Sequence, residues 1–555
     1  MLKVLTAEQM REVDRLTTER YGIPSILLME NAAHAVARVI TEKLGGSVKG
    51  KSVLILCGKG NNGGDGAALG RILWTHGAKI DIFLLGLVAD TKGDARVNLD
   101  LVKKLSERDL QITPFIKLHE FESVDWRLMP DVCHHDVFVD ALQGTGLTRP
   151  LDDETKQFAM RSRAQTSRAF SIAIDLPSGL IADSGEIIGP VFPSDVTVTF
   201  TAPKAANVLA PAASFNGSLI VTQIGTPAEN FDLDDGYISD MEGDLFLTRE
   251  NDAAEWLRSS SFEDGSYKGK RGHALIVAGS EDYSGAAVMC GNSAMRSGVG
   301  LTTLLVPASC KVEVASRVIP EVIVRTFAGA NEVLNPDVLV ENENVLRNAD
   351  SILVGPGLNA NDIEIERFVW EIVETRTTAV IVDAGALGFF IPPVGLPKFR
   401  DDVDTQVDMP SVGPPLILTP HEGEFMRLLG TDEKKPIKDR VAAVRDYATT
   451  NGVILVLKGE RVLIGSPDGR VVVNPTGNSG LGKAGNGDTL AGILAGFVAQ
   501  AVKFDIDIFE TVVAAVYVAG MAGDVAEKKY GKRVMTASDV RECLVEVFTE
   551  FEKKG

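Results

Sequence analysis

Cysteine is scarce, with five in 555 residues (Cys57, Cys133, Cys290, Cys310 and Cys543), odd in number and without a C-x-x-C pair. That argues against a disulfide framework and suggests thiols that simply pack in a reducing, cytoplasmic setting. Positive charge is also in deficit, since Lys+Arg number 56 against 76 Asp+Glu, a net charge of -20. Such a chain lacks the broad basic face that nucleic acid or an anionic membrane attracts, so neither partner is expected and anionic ligands must be held locally. The opening MLKVLTAEQM has no apolar signal core, and the longest apolar run, Thr489 to Val502, falls short of the ~20 residues of a membrane span. No repeat or low-complexity tract is present. In the second glycine-rich turn Lys483 is followed by Ala484 and Gly485, so that turn is not a G-x-x-x-x-G-K-[ST] loop and a P-loop NTPase is not expected. With no His/Cys cluster, magnesium would arrive with a nucleotide.

What the chain does contain is two series of short β-branched runs alternating with helical patterns. VLILC, KIDIFLLG, DVFVDAL, SIAIDLP, VTVTFTA and SLIVTQIG form the first, and HALIVAG, LTTLLVP, SILVGPGL, AVIVDAGAL, PLILTP and GVILVLKG the second, which ends in a hairpin pattern at RVLIGSPDGRVVV. Alternation of this kind predicts mostly parallel, helix-covered sheets and an α/β class for both halves. Between Gly225 and Asp252 the rhythm lapses into an acidic stretch that reads as a domain junction. The boundary is placed near Asn230, giving domains 1–230 and 231–555. The proline- and aspartate-rich segment from Phe390 to Pro415 reads as a surface insertion with no assigned function.

Each half carries a glycine loop between a strand and a helix. In the first, VLILC leads into Gly58-Lys59-Gly60-Asn61-Asn62-Gly63-Gly64-Asp65-Gly66, where bare backbone and a helix N-terminus suit an anion. Gly58, Gly60 and Gly63 match the dinucleotide fingerprint, but the next strand ends at Gly86 without the acidic residue that grips a ribose, and the loop carries its own amide and carboxylate side chains. Chemistry or ion binding fits better than a redox cofactor. Asp140 in DALQGTGLTRP and Asp175 with Ser178 in IDLPSGL end two further strands, and carboxyl ends of parallel strands converge on one crevice.

In the second half, NSGLGKAGNGD runs directly into the helix TLAGILAGFVAQAV. The amides of Gly485, Asn486 and Gly487 would face a transferring phosphoryl group, and Asp488 would accept a proton from the attacking hydroxyl. GPGL, LKGERV and TPHEGE end neighbouring strands, the last with His421 between strand and carboxylates.

The motifs of the first half, LTAEQMREVDRL, GIPSILLMENAA, GNNGGDG, DALQGTG and DLPSGL, resemble the NAD(P)H-hydrate epimerase domain over residues 1 to 224. SGAA, GPGL, VDAGAL, TPHEGE, KGERV and AGNGD resemble the ADP-dependent NAD(P)H-hydrate dehydratase of the ribokinase-like superfamily from about Asp240 onward. The resemblance implies a Rossmann-like three-layer sandwich followed by a ribokinase-like domain. For the epimerase it implies hydrate contacts from Asn61, Asn62, Gly63, Gly64 and Asp65, from Gly144, Thr145, Gly146, Leu147, Thr148, Arg149 and Pro150, and from Asp175. It also implies a potassium ion on Asn62, Asp140 and Ser178; with Asp140 so committed, Asp175 is the candidate for moving protons. For the dehydratase it implies Ala286, Gly357, His421 and Asp488 on the hydrate, and Lys458, Gly459, Glu460, Arg461, Val462 and Gly487 on the adenine nucleotide, with Gly485 and Asn486 completing the anion hole. The chain departs from the family pattern at Lys59, where proline is usual, at Val462, where threonine is usual, and in AlaGlyAsnGlyAsp, often Gly-Gly-Thr-Gly-Asp; the choice between ADP and ATP stays open.

The implied activity is repair of the hydrates of NADH and NADPH (NADHX and NADPHX). One domain would interconvert their R and S forms, and the other would dehydrate the S form at the expense of ADP with magnesium. A hydroxymethylpyrimidine- or thiazole-type kinase shares the G-x-G-D turn but leaves the first domain unexplained. A non-catalytic N-terminal scaffold is the other alternative. Monomer and homo-oligomer both remain open.

Overall fold

In the computed structural model, residues 1–107, 115–122, 131–165, 169–227, 245–327, 344–397, 413–431 and 436–554 are described. The boundary near Asn230 and most of the 390–415 insertion lie outside them. The chain divides into two compact units, one of Lys3–Gly243 and one of Met1–Leu2 with Asp244–Gly555.

The strands, in chain order, are β1 (Leu2–Lys3), β2 (Ser52–Cys57), β3 (Lys79–Leu85), β4 (Ile116–Phe121), β5 (Val137–Ala141), β6 (Phe170–Ile174), β7 (Val196–Phe200), β8 (Ser218–Thr222) and β9 (Leu245–Leu247). The remainder are β10 (His273–Val277), β11 (Leu301–Val306), β12 (Ile323–Thr326), β13 (Ser351–Val354), β14 (Ala379–Val382), β15 (Leu416–Leu418), β16 (Ile454–Leu457), β17 (Leu463–Gly465) and β18 (Val471–Val473).

The N-terminal unit holds a seven-stranded sheet in the order β4-β3-β2-β5-β6-β7-β8, parallel throughout. Alternation along β2 builds cores on both faces: Val53, Ile55 and Cys57 join one apolar cluster and Leu54 and Leu56 another. Apolar residues at both parities are what a sheet covered on two sides requires. The strand order reverses between β2 and β5, so the loops after those strands diverge and leave a crevice at their carboxyl ends.

The C-terminal unit is built around an eleven-stranded sheet, β1-β9-β18-β17-β16-β15-β14-β13-β10-β11-β12. It is parallel from β12 through β16, and β17 and β18 form the antiparallel hairpin expected from RVLIGSPDGRVVV. Its switch point lies between β10 and β13. Two features depart from the sequence reading. The acidic junction is not wholly irregular: Leu245–Leu247 pairs with β18 and a helix starts at Glu250, since three residues are too few to show a period of two. The helix Ile508–Tyr530 is long and apolar enough to cross a membrane, yet 67% of its most apolar stretch is buried inside the protein. Its residues Val512 to Val518 pack in the core with Phe497 of the helix Asn486–Phe504.

Candidate functional site

The first crevice opens into a cavity of about 1000 Å³ at the ends of β2, β5, β6 and β7. The helix Asn61–Thr75 begins there with no side chain capping its N-terminus, so its first amides face the cavity unsatisfied. Gly63 is required for this entry, because a Cβ there would lie 1.8 Å from the Gly58 carbonyl oxygen. Asn61, Asn62 and Asp65 line the cavity, as do Gly144, Thr145, Gly146, Leu147, Thr148, Arg149 and Asp175. Gly63 and Gly64 are buried beneath the wall, and Pro150 is not part of the lining.

Asp140 is fully buried at the end of β5. Its carboxylate accepts bonds from Ser178 Oγ (2.6 Å), Ser178 N (2.7 Å) and Leu142 N (3.2 Å). Burial pushes this carboxyl up to about 6 against those hydrogen bonds. On the adjoining loop Asn62 is half-buried, with its side-chain oxygen and nitrogen shielded from solvent and neither hydrogen-bonded, and the Gln143 Oε1 atom is equally orphaned. Buried unsatisfied amides are rare, and a bound ion, water or ligand would satisfy these.

Asp175 adopts φ +67°, a conformation that costs a non-glycine residue about 1–3 kcal/mol unless its surroundings fix it. Here they do: Oδ1 accepts bonds from Thr199 Oγ1 (2.9 Å) and from the ammonium of Lys204. Lys204 is 2% exposed and also donates to Thr199 Oγ1 at 2.9 Å. Sequence reasoning missed this lysine, whose one signal was its place just after the strand VTVTFTA. It also missed Asp14, from the helix Ala7–Tyr21, which opens onto the same cavity. The Asp14 carboxyl is raised to about 6 by the surrounding protein and by Asp175, against Lys204. Asp65 is raised well above the usual carboxylate range by burial and by its acidic neighbours Asp175 and Asp14. The cavity therefore sets a carboxyl driven toward its neutral form beside an ion-paired carboxylate.

In the C-terminal unit the helix Asn486–Phe504 starts after Gly485 at φ +88°, again with no side-chain cap. Asp488 therefore does not cap its own helix. The Asn486 N–H is directed at the Lys483 carbonyl at 3.4 Å, which leaves the Gly485 and Gly487 amides as the better anion donors. Burial pushes the Asp488 carboxyl up to about 6, with Asp383 adding to the rise and Lys458 opposing it. Lys458, just past β16, pairs with Asp383 at 2.7 Å, and a Cβ on Gly487 would lie 3.6 Å from its ammonium nitrogen. The turns TPHEGE and LKGERV meet through a Lys458 N to Pro420 O bond of 2.8 Å.

Gly357, at φ +70°, lies against the helix Ser284–Arg296, where an added Cβ would meet Ala286 Cβ at 2.9 Å and Tyr283 O at 2.8 Å. His421 caps the helix Glu422–Leu428: its ring Nδ1 accepts from the Glu424 backbone N–H (3.2 Å) and the His421 backbone N–H donates to Glu424 Oε2 (2.8 Å). Much of the ring remains exposed. Gly459 to Val462 carry the chain into β17, with the Glu460 carbonyl held by Arg440 (3.2 Å) and Arg461 bonded to Pro475 O (3.0 Å). Among the described residues, no group of three or more His, Cys, Asp or Glu is arranged to hold a metal.

Two α/β units, each with an uncapped helix N-terminus and a desolvated carboxylate at the carboxyl ends of its strands, define an enzyme with two anion-binding active sites. The second has the parts of a phosphoryl-transfer site. Known proteins narrow the class further. A family described as NAD(P)H-hydrate dehydratase matches residues 274–545, and one described as YjeF-related protein N-terminus matches residues 25–206. The bifunctional NAD(P)H-hydrate repair enzyme Nnr of Moorella thermoacetica is 35% identical, over 99% of this chain and 97% of its own. The protein of the same description from Salinibacter ruber is 32% identical, over 99% and 96%. A crystal structure of the ADP/ATP-dependent NAD(P)H-hydrate dehydratase from Bacillus subtilis is 28% identical, with 56% of this chain and all of that one covered at a TM-score of 0.44. The chain belongs to the family of bifunctional NAD(P)H-hydrate repair enzymes.

Proposed function

We propose that this protein returns hydrated NADH and NADPH to use, epimerising the R and S hydrates in the N-terminal cavity and dehydrating the S form with ADP in the C-terminal site. The observation that carries the second half is Asp488, a desolvated carboxylate beside Lys458 at an uncapped helix N-terminus. The hydroxyl of the hydrate is a poor leaving group, and its phosphate ester is a good one. Asp488 takes the hydroxyl proton as the oxygen attacks the terminal phosphorus of ADP, whose bond to AMP breaks under the amides of Gly485 and Gly487. The carbon–oxygen bond then breaks, phosphate leaves, and loss of the neighbouring carbon-bound proton restores the ring double bond. Gly357, Ala286 and His421 face the hydrate, and Lys458 to Val462 face the nucleotide. The nucleotide would bring magnesium with it, which would supply neutralisation of phosphate charge.

In the cavity, inversion at the hydroxyl-bearing carbon needs a bond there to break and re-form: one group protonates the hydroxyl as the carbon–oxygen bond breaks and water leaves, and another takes a proton from the water that adds to the opposite face. Asp175, ion-paired with Lys204, is the base, and Asp65, driven toward its neutral form, is the acid. The orphaned Asn62 oxygen, with the buried Asp140–Ser178 pair, fits a potassium ion, which would supply a fixed positive charge beside the nucleotide.

Replacing Asp488 with Asn should abolish ADP-dependent recovery of NADH absorbance from its hydrate and spare nucleotide binding; retention of most activity would refute the base. For the first domain, Asp175→Ala should abolish interconversion of purified R hydrate, and unchanged epimerisation would remove Asp175 from the mechanism.

A further inference from the structure

Beside the catalytic turn of the C-terminal unit lies a charged pair whose purpose packing alone does not explain. Asp383, at the end of β14, is 1% exposed. Its Oδ1 accepts from Lys458 Nζ and from Thr419 Oγ1, both at 2.7 Å. A buried ion pair contributes little net stability, because desolvation offsets the attraction. This one sits where three strand ends, β14, β15 and β16, deliver their loops to the helix Asn486–Phe504. An ammonium has three donors, and among the described residues Asp383 is the only side chain that takes one from Lys458. Two remain, on a nitrogen that would lie 3.6 Å from a Cβ at Gly487, in the turn proposed to receive the phosphoryl group.

We infer that Lys458 is a catalytic residue of the dehydratase, donating to the transferring phosphoryl group at Gly487, and that Asp383 is the positioning residue that holds its ammonium there. This rests on Asp488 as the base. A lysine over a developing phosphate charge acts in the transition state as oxyanion-type donors do. Asp383 fixes it without neutralising the site, since the ammonium stays charged: burial works against that charge, but Asp383, Glu424 and Asp488 together hold the ammonium above its usual range.

The charges facing Asp488 are Asp383 and Lys458. Cys290 Sγ donates to its backbone carbonyl at 3.2 Å, and Glu424, paired with His421, faces Lys458. Asp383 and Lys458 therefore act on the base with opposite signs. Without Asp383, the unopposed lysine lowers the Asp488 carboxyl; without Lys458, Asp383 raises it.

The test uses the full chain, purified S hydrate, ADP and magnesium. Lys458→Met should lose on the order of 10²–10³ in kcat with the KM for ADP within about threefold, and Lys458→Arg should recover part of the loss. Asp383→Asn should lose kcat on the order of tenfold, and the double variant should be no slower than Lys458→Met. The acid limb of the kcat/KM profile should move down in Asp383→Asn and up in Lys458→Met. A loss that falls entirely on the KM for ADP, or limbs that move together or not at all, would overturn the proposal. Where Asp383→Asn does not fold, the two Lys458 variants decide the case alone. Failure of the base is a separate result, read from Asp488→Asn, and the kcat-against-KM split at Lys458 does not depend on it.

Discussion

The geometry of the second site depends on how closely the helix Asn486–Phe504 approaches the helix Ser284–Arg296, and Gly492→Ala tests that dependence. A Cβ at Gly492 would lie 2.3 Å from the Cys290 carbonyl oxygen and 2.9 Å from its Cα. Both are backbone atoms of a fully buried residue, so no side-chain rotation relieves the overlap. Moving out to 3.0 Å, the shortest separation real Cβ contacts show, requires the helices to part by about 0.7 Å at this point. Overpacking of this kind costs about 1–3 kcal/mol, and the helix preference of alanine over glycine returns about 1 kcal/mol. The net loss of up to about 2 kcal/mol should lower the Tm of the C-terminal unit by at most roughly 8 °C. The effect on catalysis should exceed the effect on stability. Gly492 lies one turn from Asp488, and the same Cys290 holds the Asp488 carbonyl. Displacement approaching 1 Å at a reacting group costs on the order of 10²-fold. The assay is ADP-dependent recovery of NADH absorbance from the S hydrate, with thermal melting, and epimerisation of the R hydrate as an internal control that should not change. A variant that melts and turns over like the parent would show that the glycine contact does not set the site.

Asp140 gives a pH-dependent prediction for the N-terminal unit. Its folded carboxyl lies at about 6, above the ordinary value of 3.8, so its contribution to stability is complete below about pH 4 and is lost as pH rises through 6. The loss is of the order of 2–3 kcal/mol, and a cation bound beside the ionised carboxylate should restore much of it. Potassium should therefore raise the Tm of this unit at pH 8 and leave it unchanged at pH 4; equal shifts at both values would remove Asp140 from the ion site. The Lys204–Asp175 pair gives another: Lys204→Met strands a buried carboxylate and should destabilise by about 3–5 kcal/mol. Adding Asp175→Asn should recover most of that, and strict additivity in denaturant titrations would argue against the pair.

The fold was legible wherever burial on both faces imposed continuous β-branched runs, as in VLILC (β2) and SIAID (β6). Strands without such a run escaped. Ile116–Phe121 and Ile323–Thr326 have half-exposed patterns without the run of Val and Ile that marks a central strand, and Leu245–Leu247 lies inside an acidic stretch that masks it. Their place is decided by partners far along the chain, such as Val471–Val473 for Leu245–Leu247, and no local pattern carries that information.

The same division between local and distant causes runs through the two sites. Gly58 to Asp65 and Gly485 to Asp488 were readable because a turn, a helix start and a charge fall within one stretch of chain, where bare backbone and a helix dipole act together. The groups that give those turns their chemistry come from elsewhere. Lys204 reaches Asp175 from a separation of 29 residues and Lys458 reaches Asp383 from 75, and each pairing is recognisable only when the sheet has brought the two strand ends together. In the N-terminal unit the acidic residue was the legible partner and the buried lysine was not; in the C-terminal unit Lys458 was legible through its motif and Asp383 was not. A lysine in sequence reads as solvated surface, and only its burial, which the fold imposes, turns it into a fixed charge. The sites thus share one construction: a short local motif supplies the anion-binding amides, and a buried ion pair assembled by the parallel sheet sets the charge around them.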